Sequence, residues 1–186
     1  MQQEIEIEFK ILLTKDEFQR LLTDLPFPKK AITQTNYYFE TDQFHLKNKR
    51  CALRIREKNR LFTATLKEPH SEGILETHDR LTENEANHWI NGNIDYSKPT
   101  IRKLKQKEFP IDKLSYLGKL LTKRRNFKEG DICYFLDCNT YNGKVDYELE
   151  IESPSKKKGL RVLRQLIEAY SIKQKHTPNK IERFFQ

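Results

Sequence analysis

The sequence predicts an α+β protein: an eight-stranded antiparallel sheet closed into a β-barrel with a charged lumen, flanked by helices. Three observations lead there. Glu4, Glu6, Glu8 and Lys10 alternate with Ile5, Ile7, Phe9 and Ile11, and strand side chains alternate in direction, so the charges share one face and the apolar residues the other. The pattern recurs in DYELEIE, where Glu148, Glu150 and Glu152 alternate with Tyr147, Leu149 and Ile151. Between these two acidic strands lie two basic ones: Arg54 and Arg56 oppose Leu53 and Ile55, and Thr63, Thr65 and Lys67 oppose Phe62, Ala64 and Leu66. One acidic strand reads as a solvated outer side, but four charged faces, two of each sign, suggest a shared interior.

The elements follow in order. After the first strand, Thr14 and Glu17 form a capping box, in which hydroxyl and carboxylate satisfy each other's exposed backbone donors, and Phe18, Leu21, Leu22 and Leu25 follow at helical spacing until Pro26. A β-rich stretch over Ala31 to Glu40 leads to the Arg54 strand, and a tight turn at Lys58 and Asn59 returns the chain through Phe62 to Lys67. Gly73 to His78 is a further strand carrying Glu76, and Thr82 to Glu85 repeats the capping box ahead of a helix containing Trp89. Asn91 to Pro110 has turn residues and little periodicity, the mark of a connector with at most a short helix. Leu117 to Arg125, Ile132 to Asn139 and Lys144 to Glu152 read as three strands, with Asn142 and Gly143 suited to the positive φ angles of a hairpin turn. Ser155 caps a last helix through Leu160, Leu163, Leu166, Ile167 and Tyr170.

A chain of 186 residues fits one domain over 1–186 and can bury a real core. No apolar run approaches the ~20 residues of a membrane span, and no apolar signal region opens the chain, so no membrane partner is expected and the cytoplasm is the expected location. Cys51, Cys133 and Cys138 are odd in number and lack CxxC spacing, which favours free thiols. The formal charge of +8 attracts any polyanion. The basic runs at Lys98 to Lys107 and Lys156 to Arg164 carry no interleaved aromatics, so nucleic acid is not expected as a partner. His45, His70, His78, His88 and His176 show no clustered ligand spacing, Trp89 and Tyr37 to Phe39 read as packing, and no Gly-rich loop supports a P-loop fold.

Carboxylates at i and i+2 of a strand lie about 7 Å apart and repel unless a cation sits among them, which brings a metal into view. At this point the residues resemble a family. ExExK, here Glu6, Glu8 and Lys10, resembles the signature of the CYTH domain, the triphosphate tunnel metalloenzymes that include inorganic triphosphatases, thiamine triphosphatases and class IV adenylate cyclases. The resemblance continues in order through NYYFET, LRIR with Arg54 and Arg56, TLKEP with Lys67, GILET with Glu76, TKRRNF with Arg124, and LDCNTYNGKVDYELEIE with Asp137, Glu148 and Glu150. Lys180 in NKIERFF fits the family's C-terminal lysine, and the wording is most similar to the bacterial YjbK-type members.

A small barrel lined with charges needs ligands, metal or mutual pairing to offset them. A triphosphate with Mg2+ or Mn2+ would do so. Glu6, Glu8, Glu148 and Glu150 supply hard oxygens and form the catalytic set, while Lys10, Arg54, Arg56, Lys67, Arg124 and Lys180 would neutralise phosphate oxygens. The resemblance adds Glu76 and Asp137 as metal ligands; by sequence alone a structural hydrogen bond fits each as well. Arg124 is preferred over Arg125 because it stands three residues before Phe127, as in the family pattern, and Glu4 and Glu152 extend the acidic rows. The expected function is metal-dependent hydrolysis of inorganic triphosphate or a small organic triphosphate. A class IV-type adenylate cyclase, a thiamine triphosphatase, or a non-catalytic polyphosphate or RNA-end binding module are the alternatives, and a homodimer is left open.

Overall fold

The computed structural model describes residues 2–173, 175, 177–178 and 180–184. The chain forms two compact units, one built from Gln34–Leu120 with the first residues through Ile5, the other from Glu6–Thr33 with Leu121 onward.

The sheet of the first unit uses β1 (Gln2–Glu6), β3 (Ile32–Glu40), β4 (Ala52–Lys58), β5 (Leu61–Pro69), β6 (Ile74–Leu81) and the start of β7 (Ser115–Glu129), in the order β1-β6-β5-β4-β3-β7. The β3, β4, β5 and β6 neighbours pair antiparallel. The β4–β5 turn falls on Asn59 and Arg60, both at positive φ (52° and 60°), one residue later than expected. A two-residue hairpin turn of the favoured hand needs positive φ at both central positions.

Register decides the faces. Leu53, Ile55, Ala64 and Leu66 are wholly buried in a core that also holds Phe39, Trp89, Ile101 and Leu104. Trp89 comes from α3 (Glu83–Ile90), which starts at the Thr82–Glu85 capping box. The supposed connector contains an eight-residue helix, α4 (Pro99–Gln106), whose N-cap Lys98 offers no side-chain cap. Its cap is supplied by the strand beside it: the Asp79 carboxylate of β6 accepts from Thr100 N at 2.8 Å. The short α2 (His45–Asn48) is held likewise, by the buried Glu40 carboxylate, which accepts from Leu46 N at 3.0 Å and Lys47 N at 2.9 Å.

In the second unit the order is β7-β8-β9-β2, with β2 (Glu8–Leu13), β8 (Ile132–Tyr141) and β9 (Lys144–Glu152), all antiparallel. Asn142 and Gly143 turn β8 into β9 at φ 47° and 73°. Ile11, Leu13, Leu136, Leu149 and Ile151 face a core shared with Phe18 and Leu21 of α1 (Lys15–Asp24) and with α5 (Lys156–Ala169). Gly159 of α5 lies against the Phe9 ring, where a Cβ would stand 2.3 Å from Phe9 Cε2. A last helix, α6 (Lys180–Phe184), follows.

The N-terminal acidic stretch is the main departure from expectation. It is two strands rather than one: β1 ends at Glu6, β2 begins at Glu8, and Ile7 between them accepts from Ser153 N at 3.0 Å. β1 is hydrogen-bonded beside β6 and β2 beside β9, so among the described residues the sheet counts nine strands where eight were expected. The α+β class with an antiparallel sheet and helices stands. All three cysteines are free, and among the described residues no helix is long and apolar enough to cross a membrane.

Candidate functional site

In the second unit the site grows from one face of β7, β8, β9 and β2. Cross-strand register sets Arg124 opposite Asp137, Asp137 opposite Glu148, and Glu150 opposite Lys10. Residues directly opposite share a face, so the alternation that sends Leu136, Leu149 and Ile11 to the core sends these charges the other way. Asp137 and Glu148 are wholly inaccessible to solvent and Glu150 nearly so.

Three carboxylates in such surroundings demand cations. Arg124 Nε donates to Asp137 Oδ1 and Nη2 to Oδ2, both at 2.8 Å, and Nη2 also reaches Glu150 Oε2 at 3.1 Å. Its guanidinium lies 4.4 Å from the centre of the Phe135 ring. From α6, Lys180 Nζ reaches Asp137 Oδ2 at 2.8 Å, Glu148 Oε1 at 2.5 Å and Glu150 Oε2 at 3.2 Å. Three residues on, the buried Arg183 pairs through Nη1 with Glu148 Oε2 at 2.6 Å and through Nε with Asp146 Oδ2 at 3.0 Å.

The proton equilibria follow. Burial alone would raise the Asp137 carboxyl, but Lys180 and Arg124 overcome it and hold it below the usual range. Burial alone would lower Arg124 and Lys180, yet the facing carboxylates push both up: Glu150 and Asp137 act most on Arg124, and Asp137 and Glu148 most on Lys180. Asp137, Arg124 and Lys180 are therefore each held in their charged forms.

Asp137, Glu148 and Glu150 each offer an oxygen within 4.8 Å of the others. A set of hard carboxylate oxygens fits Mg2+ or Mn2+. Glu8 and Lys10 of the same unit pair with one another at 2.6 Å, and Glu6 stands, half-buried, at the end of β1.

The first unit has a charged face of its own. On it lie Arg54 and Arg56 of β4, Lys67 of β5 and Glu76 of β6, with Lys67 directly opposite and paired with Glu76. Arg54 is buried, and Arg56 Nε donates to Asn36 Oδ1 at 3.2 Å.

Two residues here were not singled out from the sequence. His78 shares that face: its Nδ1 lies 3.0 Å from Thr65 Oγ1, and its Nε2 lies 3.0 Å from Glu4 Oε1 and 3.4 Å from Glu76 Oε2. Its place two residues after Glu76 on a strand was the readable signal. Arg183 had a fainter one, the three-residue helical spacing from Lys180. His176 lies outside the described residues.

The CYTH domain family model matches residues 4–185. YjbK of Bacillus subtilis (strain 168), provisionally named a triphosphatase, is 40% identical over 187 residues, covering 100% of this chain and 97% of its own. A crystal structure from Bacillus halodurans, provisionally named an adenylate cyclase, superposes with a TM-score of 0.94 at 39% identity, covering 100% of both chains. A Hippeastrum protein, provisionally named an adenylyl cyclase and described as having a dominant triphosphatase activity, shares the fold at a TM-score of 0.75 and 24% identity, covering 97% of this chain and 95% of its own. This chain belongs to the CYTH domain family.

Proposed function

We propose that the chain is a divalent-metal-dependent triphosphatase that hydrolyses inorganic triphosphate or a small organic triphosphate, with Mg2+ or Mn2+, and that residues 1–186 act as one functional domain. The observation that carries this reading is the buried group of Asp137, Glu148 and Glu150 ringed by Arg124, Lys180 and Arg183. Its support among relatives is the triphosphatase name of the Bacillus subtilis protein.

In this reading Asp137, Glu148 and Glu150 hold the metal, with Glu6 and Glu8 of the same unit as further candidate ligands; Glu76 is the first unit's own candidate ligand. A metal held there would polarise phosphate oxygens and lower the pKa of a bound water. The protein's part is orientation and charge. Arg124, with its planar fork, and the ammonium groups of Lys10 and Lys180 are the second unit's candidates for phosphate oxygens; Arg54, Arg56 and Lys67 are the first unit's. Phosphoryl transfer asks little covalent chemistry of a protein, so positioning and charge stabilisation account for most of the rate.

The test is phosphate release from triphosphate, thiamine triphosphate and ATP with Mg2+ or Mn2+, alongside Glu148→Gln and a chelator. Rapid turnover lost in the variant and with the chelator is expected. Retained triphosphate binding with no turnover of any substrate would replace the enzyme by a binding module. A second reading, adenylate cyclase, is favoured by the name of the Bacillus halodurans structure, and cyclic AMP from ATP in the same experiment would establish it.

A further inference from the structure

We propose that the Lys180 ammonium and the divalent cation are alternative occupants of the Asp137, Glu148 and Glu150 triad, so that the cation displaces Lys180 and frees it for anionic phosphate. This deepens the triphosphatase reading and rests on its metal assignment.

The geometry carries it. Lys180 Nζ touches one oxygen of each of the three carboxylates, at 2.8, 2.5 and 3.2 Å. Those same three side chains each offer an oxygen within 4.8 Å of the others. A Mg2+ ion needs its oxygens at about 2.0–2.1 Å, so an ion drawing on the three oxygens that Lys180 Nζ touches would sit close to the ammonium's own position, and two cations there would repel.

The other cations are placed differently. Arg124 holds Asp137 through both oxygens, and Arg183 holds Glu148 by Oε2, the oxygen that Lys180 leaves alone. They hold the Asp137 and Glu148 side chains in place whichever occupant is present. Of the two cations on the five-residue helix α6, Lys180 has the more exposed side chain, 10% against 4% for Arg183, and it is the first residue of the helix. Without a metal, the lysine keeps three buried carboxylates from facing one another uncompensated.

Two consequences follow by linkage. Lysine and metal weaken one another, and a triphosphate that captures the displaced ammonium strengthens metal binding, by the same factor in both directions. The cation and its anionic substrate then load together.

The test titrates Mn2+ into the full chain without triphosphate, reading free Mn2+ by electron paramagnetic resonance, for wild type, Lys180→Met and Glu148→Gln. Lys180→Met should bind Mn2+ about tenfold tighter or more, because breaking a buried ion pair is costly, and Glu148→Gln should lose the site. Equal or weaker binding by a folded Lys180→Met, or no binding by either protein, would overturn the exchange. Should Lys180→Met fail to fold, amine labelling of wild type decides: with Mg2+ bound, Lys180 Nζ should react faster with acetic anhydride, read by peptide mass spectrometry, and unchanged labelling would count against displacement. Substrate hydrolysis is assayed separately. An affinity gap without hydrolysis sinks only the triphosphatase reading; hydrolysis without the gap sinks only the exchange.

Discussion

Arg124 grips Asp137 with two parallel bonds of 2.8 Å, Nε to Oδ1 and Nη2 to Oδ2, between directly opposed positions of β7 and β8. A fork of this kind satisfies both oxygens of a carboxylate that no water reaches. Arg124→Met should destabilise the metal-free protein by about 3–5 kcal/mol, the cost of stranding a buried charge. Arg124→Lys keeps the charge but loses one bond, for about 1.5–3 kcal/mol. Urea unfolding midpoints measure both, and a methionine variant as stable as wild type would show that the pair contributes nothing.

Arg54 is buried on the charged face of the first unit, opposite Tyr38 of β3 and Thr65 of β5. Arg54→Ala should weaken triphosphate binding by about 10- to 100-fold, the worth of a charge-assisted bond, while lowering thermal stability less. Calorimetric binding and a melting curve separate the two effects. Equal losses in both would make Arg54 a structural residue.

Gly159 illustrates a glycine fixed by a neighbour rather than by its own backbone. Alanine is ordinarily better in a helix by about 1 kcal/mol, but here its methyl would press on the Phe9 ring and on Ser153 Cβ. Gly159→Ala should therefore destabilise by about 1–3 kcal/mol. In a Phe9→Ala background the same change should become neutral or stabilising, and unfolding of the four proteins of that cycle reads the coupling. Additive effects would mean that the ring moves aside freely.

Glu17 closes two places at once: Oε2 accepts from Thr14 N at 2.6 Å and Oε1 from Lys173 N at 3.0 Å. Burial pushes its pKa up, but the bonds from Thr14 and Lys173 bring it below the usual glutamate value. A depressed folded pKa means that its stabilisation is complete above the unfolded pKa of about 4.3 and is lost as pH falls through the folded value. Glu17→Gln should cost about 1–2 kcal/mol at neutral pH and less below pH 4, where the curves of variant and wild type should converge. Parallel curves across that window would remove Glu17 from the acid response.

The strands and the two capping boxes were legible because each is a local pattern: alternation for the strands, a hydroxyl and a carboxylate three residues apart for the caps. That the structure gathers Arg124, Asp137, Glu148, Glu150 and Lys180 was legible for a different reason, the ordered resemblance to a family. What escaped depends on tertiary partners. Nothing near Lys98 announces a helix start, because the cap is Asp79 on another strand. Glu40, which holds α2, likewise acts across a turn. The interruption at Ile7 is silent in a sequence whose alternation runs straight through it; only the change of hydrogen-bonded neighbour, from β6 to β9, reveals two strands.

That interruption bears on how the protein is made. β1 and β2 leave the ribosome before either of their sheet neighbours, and β9 is the last strand among the described residues. Until then Ile11 and Leu13 have no β9 residues opposite them, and pairing must wait on a long loop closure. The interleaved glutamates and Lys10 serve a second purpose in that interval: charge on every other residue keeps an apolar, unpaired strand from adding to a neighbouring nascent chain.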